Sequence, residues 1–173
     1  MEGTMKRLAL HDRKAWVEQA PIPSAHGANV VVRLESTPIC GSDKKHFLNP
    51  DKTIRHAGHE GTGVVVEVDK SNLVKVGDRV LTNCLSGCGV CEHCRSGNYV
   101  YCENKLPMDQ MASHFCQYTI LQDFLCIPLP EDISYDMGTL AGCVLAPAFQ
   151  TLQKMQVIPS DLVMGLGCGP VGL

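Results

Sequence analysis

Aromatic residues and long apolar runs are both scarce in this sequence. Only 5% of its 173 residues are aromatic, and the formal net charge at pH 7 is -3. Because no basic block is interleaved with aromatic residues, the sequence predicts no nucleic-acid partner. Because no apolar run approaches the roughly 20 residues of a membrane-spanning helix, it predicts no membrane partner either.

The first ten residues lack the apolar core of a secretory signal peptide. Cysteine is nevertheless abundant, with ten in the chain. In a reducing compartment such thiols bind metals or pack in the core, whereas secreted proteins use them in disulfides. We therefore expect a cytoplasmic protein whose cysteines are reduced.

Four of the cysteines follow a pattern that is typical of a zinc site. Cys88, Cys91, Cys94 and Cys102 have the spacing C-x2-C-x2-C-x7-C. Zinc prefers four soft ligands at tetrahedral corners, and two-residue spacers let neighbouring thiolates meet at one point. A site with four protein ligands has no open position, so this zinc is predicted to be structural. The alternative is a loop held by disulfides, which the lack of a secretory signal disfavours.

The predicted secondary structure divides the chain into two parts. Up to residue 130, short β-branched runs alternate with turn residues, which predicts a small barrel or sandwich. These predicted strands cover residues 6–10, 29–35, 64–68, 79–81, 115–121 and 124–127. From the helix N-cap predicted at Ser134, apolar residues recur at helical spacing as far as Met155, which predicts two helices. Segment 162–166 is predicted to be a buried strand.

A glycine-rich turn follows that predicted strand. Gly167, Gly169 and Gly172 form the pattern G-x-G-x-x-G, which is typical of the first phosphate-binding turn of a dinucleotide site. The pattern alone is weak evidence. The helix, the further strands and the ribose-binding acid of such a unit do not follow in this sequence.

Cys40, His59 and Cys143 are candidates for a second metal site. A catalytic zinc uses three protein ligands and keeps its fourth position for water or substrate. Ligands of such sites are usually far apart in sequence, so spacing cannot connect these three residues. Taken singly, each could equally be a buried thiol or a core histidine.

The order of these motifs resembles the zinc-dependent medium-chain alcohol dehydrogenases. That family has the same motifs in the same order, which here are Cys40–Asp43, Gly58–Glu60, the four-cysteine run and the final glycine turn. The resemblance implies a mainly β fold with α-helices. Residues 1–143 would form a GroES-like (chaperonin-10-like) β-barrel catalytic domain. Residues 144–173 would be the first helix–strand portion of a truncated α/β Rossmann domain.

The resemblance also implies cofactors and an activity. Two zinc ions per chain are expected, a catalytic one held by Cys40, His59 and Cys143 and a structural one held by the four-cysteine run. The expected reaction is hydride transfer between an alcohol or polyol and NAD or NADP, so the partner would be a small alcohol or carbonyl compound. Gly167, Gly169 and Gly172 would contact the dinucleotide.

Three further residues acquire roles from the same resemblance. Ser42 would pass the substrate proton towards solvent, and Asp43 would orient the zinc-binding imidazole of His59. Glu60 would lie near the metal and could enter its coordination shell. Members often have a relay histidine five residues after the first zinc cysteine, where this chain has Lys45. His46, one residue later, is at least as easily explained as a surface histidine.

Several features depart from the family pattern or allow another function. Arg55 and His56, just before the zinc-ligand motif, are unusual, and we do not expect His56 to be a ligand.

The chain is expected to be a fragment that binds zinc but cannot hold a dinucleotide productively, while the full-length enzyme would be a homo-oligomer. The alternatives are a non-catalytic zinc-binding module and a thiol redox protein that uses the same cysteines as reversible disulfides.

Overall fold

The computed structural model describes residues 2–83, 85–105, 113–169 and 171–172. Within these ranges the chain forms seven β-strands in two sheets and four short α-helices. The strands are β1 Thr4–His11, β2 Lys14–Pro21, β3 Asn29–Ser36, β4 Gly61–Val68, β5 Arg79–Thr82, β6 Tyr118–Gln122 and β7 Cys126–Pro128. The helices are α1 Lys44–Phe47, α2 Glu92–Arg95, α3 Tyr135–Thr139 and α4 Leu145–Met155. No described helix has the length and apolar character that crossing a membrane requires.

Strands β1 and β2 form an antiparallel hairpin. Its two turn residues, Asp12 and Arg13, both have positive φ, as a type I′ turn requires. Strand β2 was not predicted, because its sequence lacks the apolar alternation of a half-buried strand and most of its residues are exposed or intermediate. The turn geometry, rather than burial, therefore specifies this hairpin.

The remaining strands form one antiparallel sheet in the order β6-β3-β4-β5-β7. Alternate side chains of its strands pack into a single core. The core residues are Val30, Val32, Val65, Val74, Val80, Leu121, Leu125 and Cys126. The sheet confirms most of the predicted strands, although Asp123–Leu125 forms a 3-10 turn before β7.

Several backbone hydrogen bonds attach the hairpin to the rest of the domain. The backbone N–H of Leu8 donates to the carbonyl of Phe115, and Leu10 exchanges backbone hydrogen bonds with Ile54. The hydrogen bonds between Leu10 and Ile54 hold the segment before β4 against β1. That segment carries His59, so the hairpin helps to fix the start of the motif that contains it.

The predicted helix start at Ser134 is confirmed. The Ser134 hydroxyl accepts a hydrogen bond from the Met137 backbone N–H at 3.2 Å and so caps α3. Helix α4 follows after a short connection. Its apolar residues Leu145, Phe149 and Leu152 are exposed.

The prediction of a buried strand at 162–166 is wrong. The segment is not a strand, and Leu162 and Leu166 are 102% and 94% exposed. No described strand lies beside it to accept backbone hydrogen bonds, and a lone strand is unstable in water. Its apolar sequence alone therefore does not produce a strand.

Candidate metal centres

The four predicted structural-zinc cysteines come together in one lobe between β5 and β6. The sulfurs of Cys88, Cys91, Cys94 and Cys102 all lie within 4.8 Å of one another. Helix α2 positions the middle pair, because Cys91 is its N-cap and accepts from the Cys94 backbone N–H at 3.5 Å. The nine described cysteines are all free of disulfides. The lobe is therefore a cluster of thiols rather than a disulfide staple.

Backbone N–H groups point at these sulfurs. Cys88 N–H donates to Cys102 Sγ and Cys91 N–H donates to Cys88 Sγ, both at 3.3 Å. The backbone N–H groups of Val90 and Cys91 lower the pKa of the Cys88 thiol to about 6. Hydrogen bonds of this kind stabilise a thiolate, which is the form that binds a metal.

Close packing at Gly87 keeps this lobe tight. A Cβ at this position would lie 2.6 Å from the Cys94 sulfur and 3.1 Å from the Tyr99 ring. Both distances are shorter than ordinary van der Waals contact. Any side chain at Gly87 would therefore push the Cys94 sulfur away from the other three.

A second cluster forms from three distant segments. The ligand atoms of Cys40, His59, Glu60 and Cys143 all lie within 4.8 Å of one another. Cys40 follows β3, His59 and Glu60 immediately precede β4, and Cys143 lies between α3 and α4. Because β3 and β4 are adjacent in the sheet, their ends bring the first three residues together. The structure thus joins candidates that the sequence alone could not connect.

Asp43 lies behind the imidazole of this cluster. Its Oδ1 is 3.4 Å from His59 Nδ1, and its Oδ2 accepts from the Cys40 backbone N–H at 2.9 Å. One buried carboxylate therefore contacts two of the candidate ligands. The other ring nitrogen, His59 Nε2, faces Glu60 and lies 3.4 Å from its Oε1. His46 Nδ1 lies 4.0 Å from the same Asp43 Oδ1, beyond hydrogen-bond distance.

The remaining polar residue at the cluster is Ser42. Its hydroxyl donates to Cys40 Sγ at 3.4 Å, and its side chain is exposed. A cavity of about 480 Å³ opens beside the cluster and includes His59 and Cys143 in its wall. Ser42 can therefore reach both the cluster and solvent.

The chemistry of both clusters fits a divalent cation. In the second cluster, burial, together with Cys40 and Glu60, raises the pKa of the Cys143 thiol to about 12. Groups that are acidic and this close repel one another when ionised, and a cation removes the repulsion. Two sulfurs bound tetrahedrally at about 2.3 Å from one zinc lie about 3.8 Å apart. The observed separations are 3.8 Å for Cys40 and Cys143 and 3.9 Å for Cys88 and Cys94.

The glycine turn is exposed and lies outside both clusters. Gly172 N–H donates to the Gly169 carbonyl at 2.8 Å, and a Cβ on Gly172 would collide with the Gly167 carbonyl. The Gly169 backbone is open, with no atom within 4 Å of the position of a Cβ. The turn therefore allows close approach of a ligand to the backbone. Pro170 of this motif lies outside the described residues.

Sequence reasoning missed the polar wall of the cavity beside the second cluster. Asn83, Asn98 and Gln150 contribute amide side chains to it, and Lys154 contributes an ammonium group. No local pattern marks these residues, since the loop after β5, the four-cysteine lobe and α4 supply them separately. Cys84 lies outside the described residues.

The fold and these clusters define a β-rich domain with two candidate metal centres. A model of the alcohol dehydrogenase GroES-like domain matches residues 26–131. This chain therefore belongs to the alcohol dehydrogenase GroES-like family. The predicted GroES-like fold and the resemblance to zinc-dependent medium-chain alcohol dehydrogenases are both confirmed.

Relatives and solved structures agree with this family. The chain is 30% identical over 172 residues to the uncharacterized zinc-type alcohol dehydrogenase-like protein YphC of Escherichia coli, covering 91% of this chain and 49% of that protein. It is 34% identical over 171 residues to the probable D-xylulose reductase A of Aspergillus clavatus, covering 90% and 46%. Alcohol dehydrogenase TADH from Thermus sp. ATN1 superposes with a TM-score of 0.85 at 27% identity, covering 98% and 53%. The chain thus spans about half the length of the curated relatives it matches.

Proposed function

We propose that this chain supplies the catalytic domain of a zinc-dependent dehydrogenase that oxidises alcohols or polyols with NAD or NADP. The observation that carries the proposal is the cluster of Cys40, His59, Glu60 and Cys143 beside an open cavity. A cluster used only for stability would be closed, as the four-cysteine lobe is, whereas this one borders a space that a small molecule can enter.

The two clusters would have different roles. Cys40, His59 and Cys143 would hold the catalytic zinc, with Glu60 close enough to exchange into its coordination shell. Zinc bound there would supply Lewis acidity to a substrate hydroxyl group. Cys88, Cys91, Cys94 and Cys102 would hold a structural zinc.

Residues around the catalytic cluster would position groups and move protons. Asp43 would fix the His59 ring through Nδ1, which keeps Nε2 directed at the metal. The exposed hydroxyl of Ser42 would accept the proton of the substrate hydroxyl and pass it to solvent. His46 is given no part in this step. Its Nδ1 lies 4.0 Å from Asp43 Oδ1 and has no hydrogen-bond partner among the described residues.

The cavity wall is largely apolar but contains several groups that could bind a polar substrate. Asn83, Asn98 and Gln150 offer amide donors and acceptors. Several hydrogen-bonding groups around one cavity suit a molecule with several hydroxyl groups better than a simple apolar alcohol. The name of the D-xylulose reductase relative agrees with a polyol or its ketose.

The remaining parts of the proposal concern the whole protein. Residues 1–143 would be the catalytic domain, and residues 144–173 would begin a Rossmann domain. NAD or NADP would accept the hydride, and Gly167, Gly169 and Gly172 would let its pyrophosphate approach the backbone. The complete enzyme would be a cytoplasmic homo-oligomer, in keeping with its reduced cysteines.

The experiment that tests the proposal is zinc per chain by elemental analysis of protein purified in metal-free buffer. We expect about two zinc ions per chain, one from each cluster. Cys40→Ser and Cys91→Ser should each remove about one zinc ion, from different sites. Cys116→Ser is the matched control, because Cys116 is a half-buried thiol that belongs to neither cluster.

Other zinc counts separate the alternatives. About one zinc ion per chain, lost in Cys91→Ser but kept in Cys40→Ser, would contradict a catalytic zinc and favour a non-catalytic zinc module. A metal-free protein whose cysteines form and break disulfides reversibly would favour the thiol redox function.

A further inference from the structure

A second cavity lies on a different face of the domain, between the β1–β2 hairpin and β6. Its volume is about 380 Å³. Its polar wall includes Arg7, Arg55, His56, Ser113, Tyr118 and Thr119. It shares no lining residue with the cavity beside the candidate catalytic cluster. Arg55 and His56, which the family pattern does not explain, therefore lie in the wall of a separate site.

The charge of this cavity is positive. Arg7 Nε and Arg55 Nε donate to the same oxygen of Glu18, at 2.7 and 2.8 Å. Burial alone would raise the pKa of Glu18, but hydrogen bonds and charge from the two arginines outweigh it and lower that pKa. One carboxylate thus faces two guanidinium groups, and no aspartate or glutamate is among the described lining residues. One positive charge remains uncompensated.

Arg55 is the residue of this cavity with the most donors available to bind an anion. It contributes only Nε to the described ion pair, whereas a guanidinium has five N–H donors. Its two terminal nitrogens make no hydrogen bond within the described part of the chain. Terminal nitrogens of arginine bind carboxylate and phosphate groups in a bidentate manner.

One residue of the wall, Thr119, has an unpaired hydroxyl that is buried rather than open to the cavity. Thr119 is 2% exposed, and its Oγ1 has no hydrogen-bond partner among the described residues. Buried hydroxyl groups are normally paired, because an unpaired one loses its hydration without replacement. Thr119 lies on β6, the edge strand of the sheet, so backbone polar groups of this strand also face away from β3.

The rest of the wall is apolar. Met5, Pro21, Ile22 and Ile120 line it beside the polar groups. We propose that this cavity binds a small organic anion, with its carboxylate or phosphate group at Arg55 and its apolar part against Met5 and Ile22. The site would act apart from the candidate catalytic cluster, so the inference does not depend on the proposed dehydrogenase function.

The test is isothermal titration calorimetry of the 173-residue chain with phenyl phosphate, which joins an anionic group to an apolar ring. Phenol serves as the neutral analogue and inorganic phosphate as the anion without the ring. We expect saturable binding of phenyl phosphate, weaker binding of inorganic phosphate and none of phenol. Arg55→Gln should weaken phenyl phosphate binding about tenfold, because a charged hydrogen bond is lost.

Two further variants make the test specific. Arg33→Gln is the matched control, since Arg33 is also a partly exposed arginine paired with a glutamate, Glu35, but lies outside the cavity. It should leave the affinity unchanged. Glu18→Gln removes the competing carboxylate and should tighten binding. Thermal unfolding of each variant checks that it is folded.

Three results would overturn the inference. The first is no saturable heat with phenyl phosphate. The second is equal loss of affinity in Arg55→Gln and Arg33→Gln, which would mean a diffuse charge effect. The third is unchanged or weaker binding in folded Glu18→Gln, which would contradict the role of the uncompensated charge.

Discussion

His114 should make the stability of this domain fall steeply in mild acid. Its side chain is fully buried, and its Nε2 lies 2.7 Å from the Thr82 hydroxyl. That hydroxyl also lies 2.9 Å from the Gly61 carbonyl, which can only accept. Thr82 therefore donates to Gly61 and accepts from His114, so the proton of the neutral ring is on Nε2. The Nδ1 atom has no hydrogen-bond partner among the described residues.

Protonation of this ring would place a charge in the core. Burial lowers the pKa of His114 from 6.5 to about 4, and the Gly58 carbonyl only partly opposes this. Between these two pKa values the unfolded chain binds a proton that the folded chain does not, so stability falls as the pH falls. At about 1.36 kcal/mol per pKa unit, the full difference is about 3.4 kcal/mol, of which about 2 kcal/mol is lost by about pH 5.

Urea unfolding of the wild type and of His114→Gln at about pH 7 and about pH 5 measures this effect. Glutamine keeps a donor for Thr82 but does not titrate. We expect the variant to lose about 2 kcal/mol less than the wild type between the two pH values. Acid release of metal affects both proteins alike, so the comparison cancels it. Equal losses in the two proteins would refute the assignment of the acid sensitivity to His114.

Two other substitutions test local interactions, the packing at Gly87 and the helix cap at Ser134. Gly87→Ala should cost about 2 kcal/mol and reduce zinc retention, because the new Cβ meets the Cys94 sulfur. Gly165→Ala, where a Cβ meets nothing within 4 Å, is its control, and equal zinc retention in the two variants would contradict the packing argument. Ser134→Ala should cost about 1 kcal/mol in thermal or urea unfolding, because the Met137 N–H loses its acceptor. Ser134→Asp should restore most of this, and no recovery would argue against the cap.

The elements that neighbouring residues specify could be predicted from the sequence. The elements that depend on contacts with distant residues could not. The N-cap at Ser134 and strand β4 follow from residue types within a few positions. Strand β2 was missed, because the turn at Asp12 and Arg13 specifies it and its own pattern does not. Segment 162–166 has the composition of a buried strand, but a strand forms only with neighbours that accept its hydrogen bonds, and the described residues provide none.

The two candidate metal centres show the same contrast. The four-cysteine lobe could be predicted from spacing, because α2 and its flanking turns bring the sulfurs together within one short segment. The cluster that includes Cys143 could not, because Cys40 is 103 residues away along the chain, and the sheet and the connection after α3 unite the two. Only the resemblance to a family linked them beforehand. Since three ligand atoms of this cluster come from residues 40–60 and the fourth comes from Cys143, a cation bound there would also hold α3 against the sheet. Metal removal should therefore loosen that contact before it affects the core, which hydrogen exchange of α3 and β3 would measure.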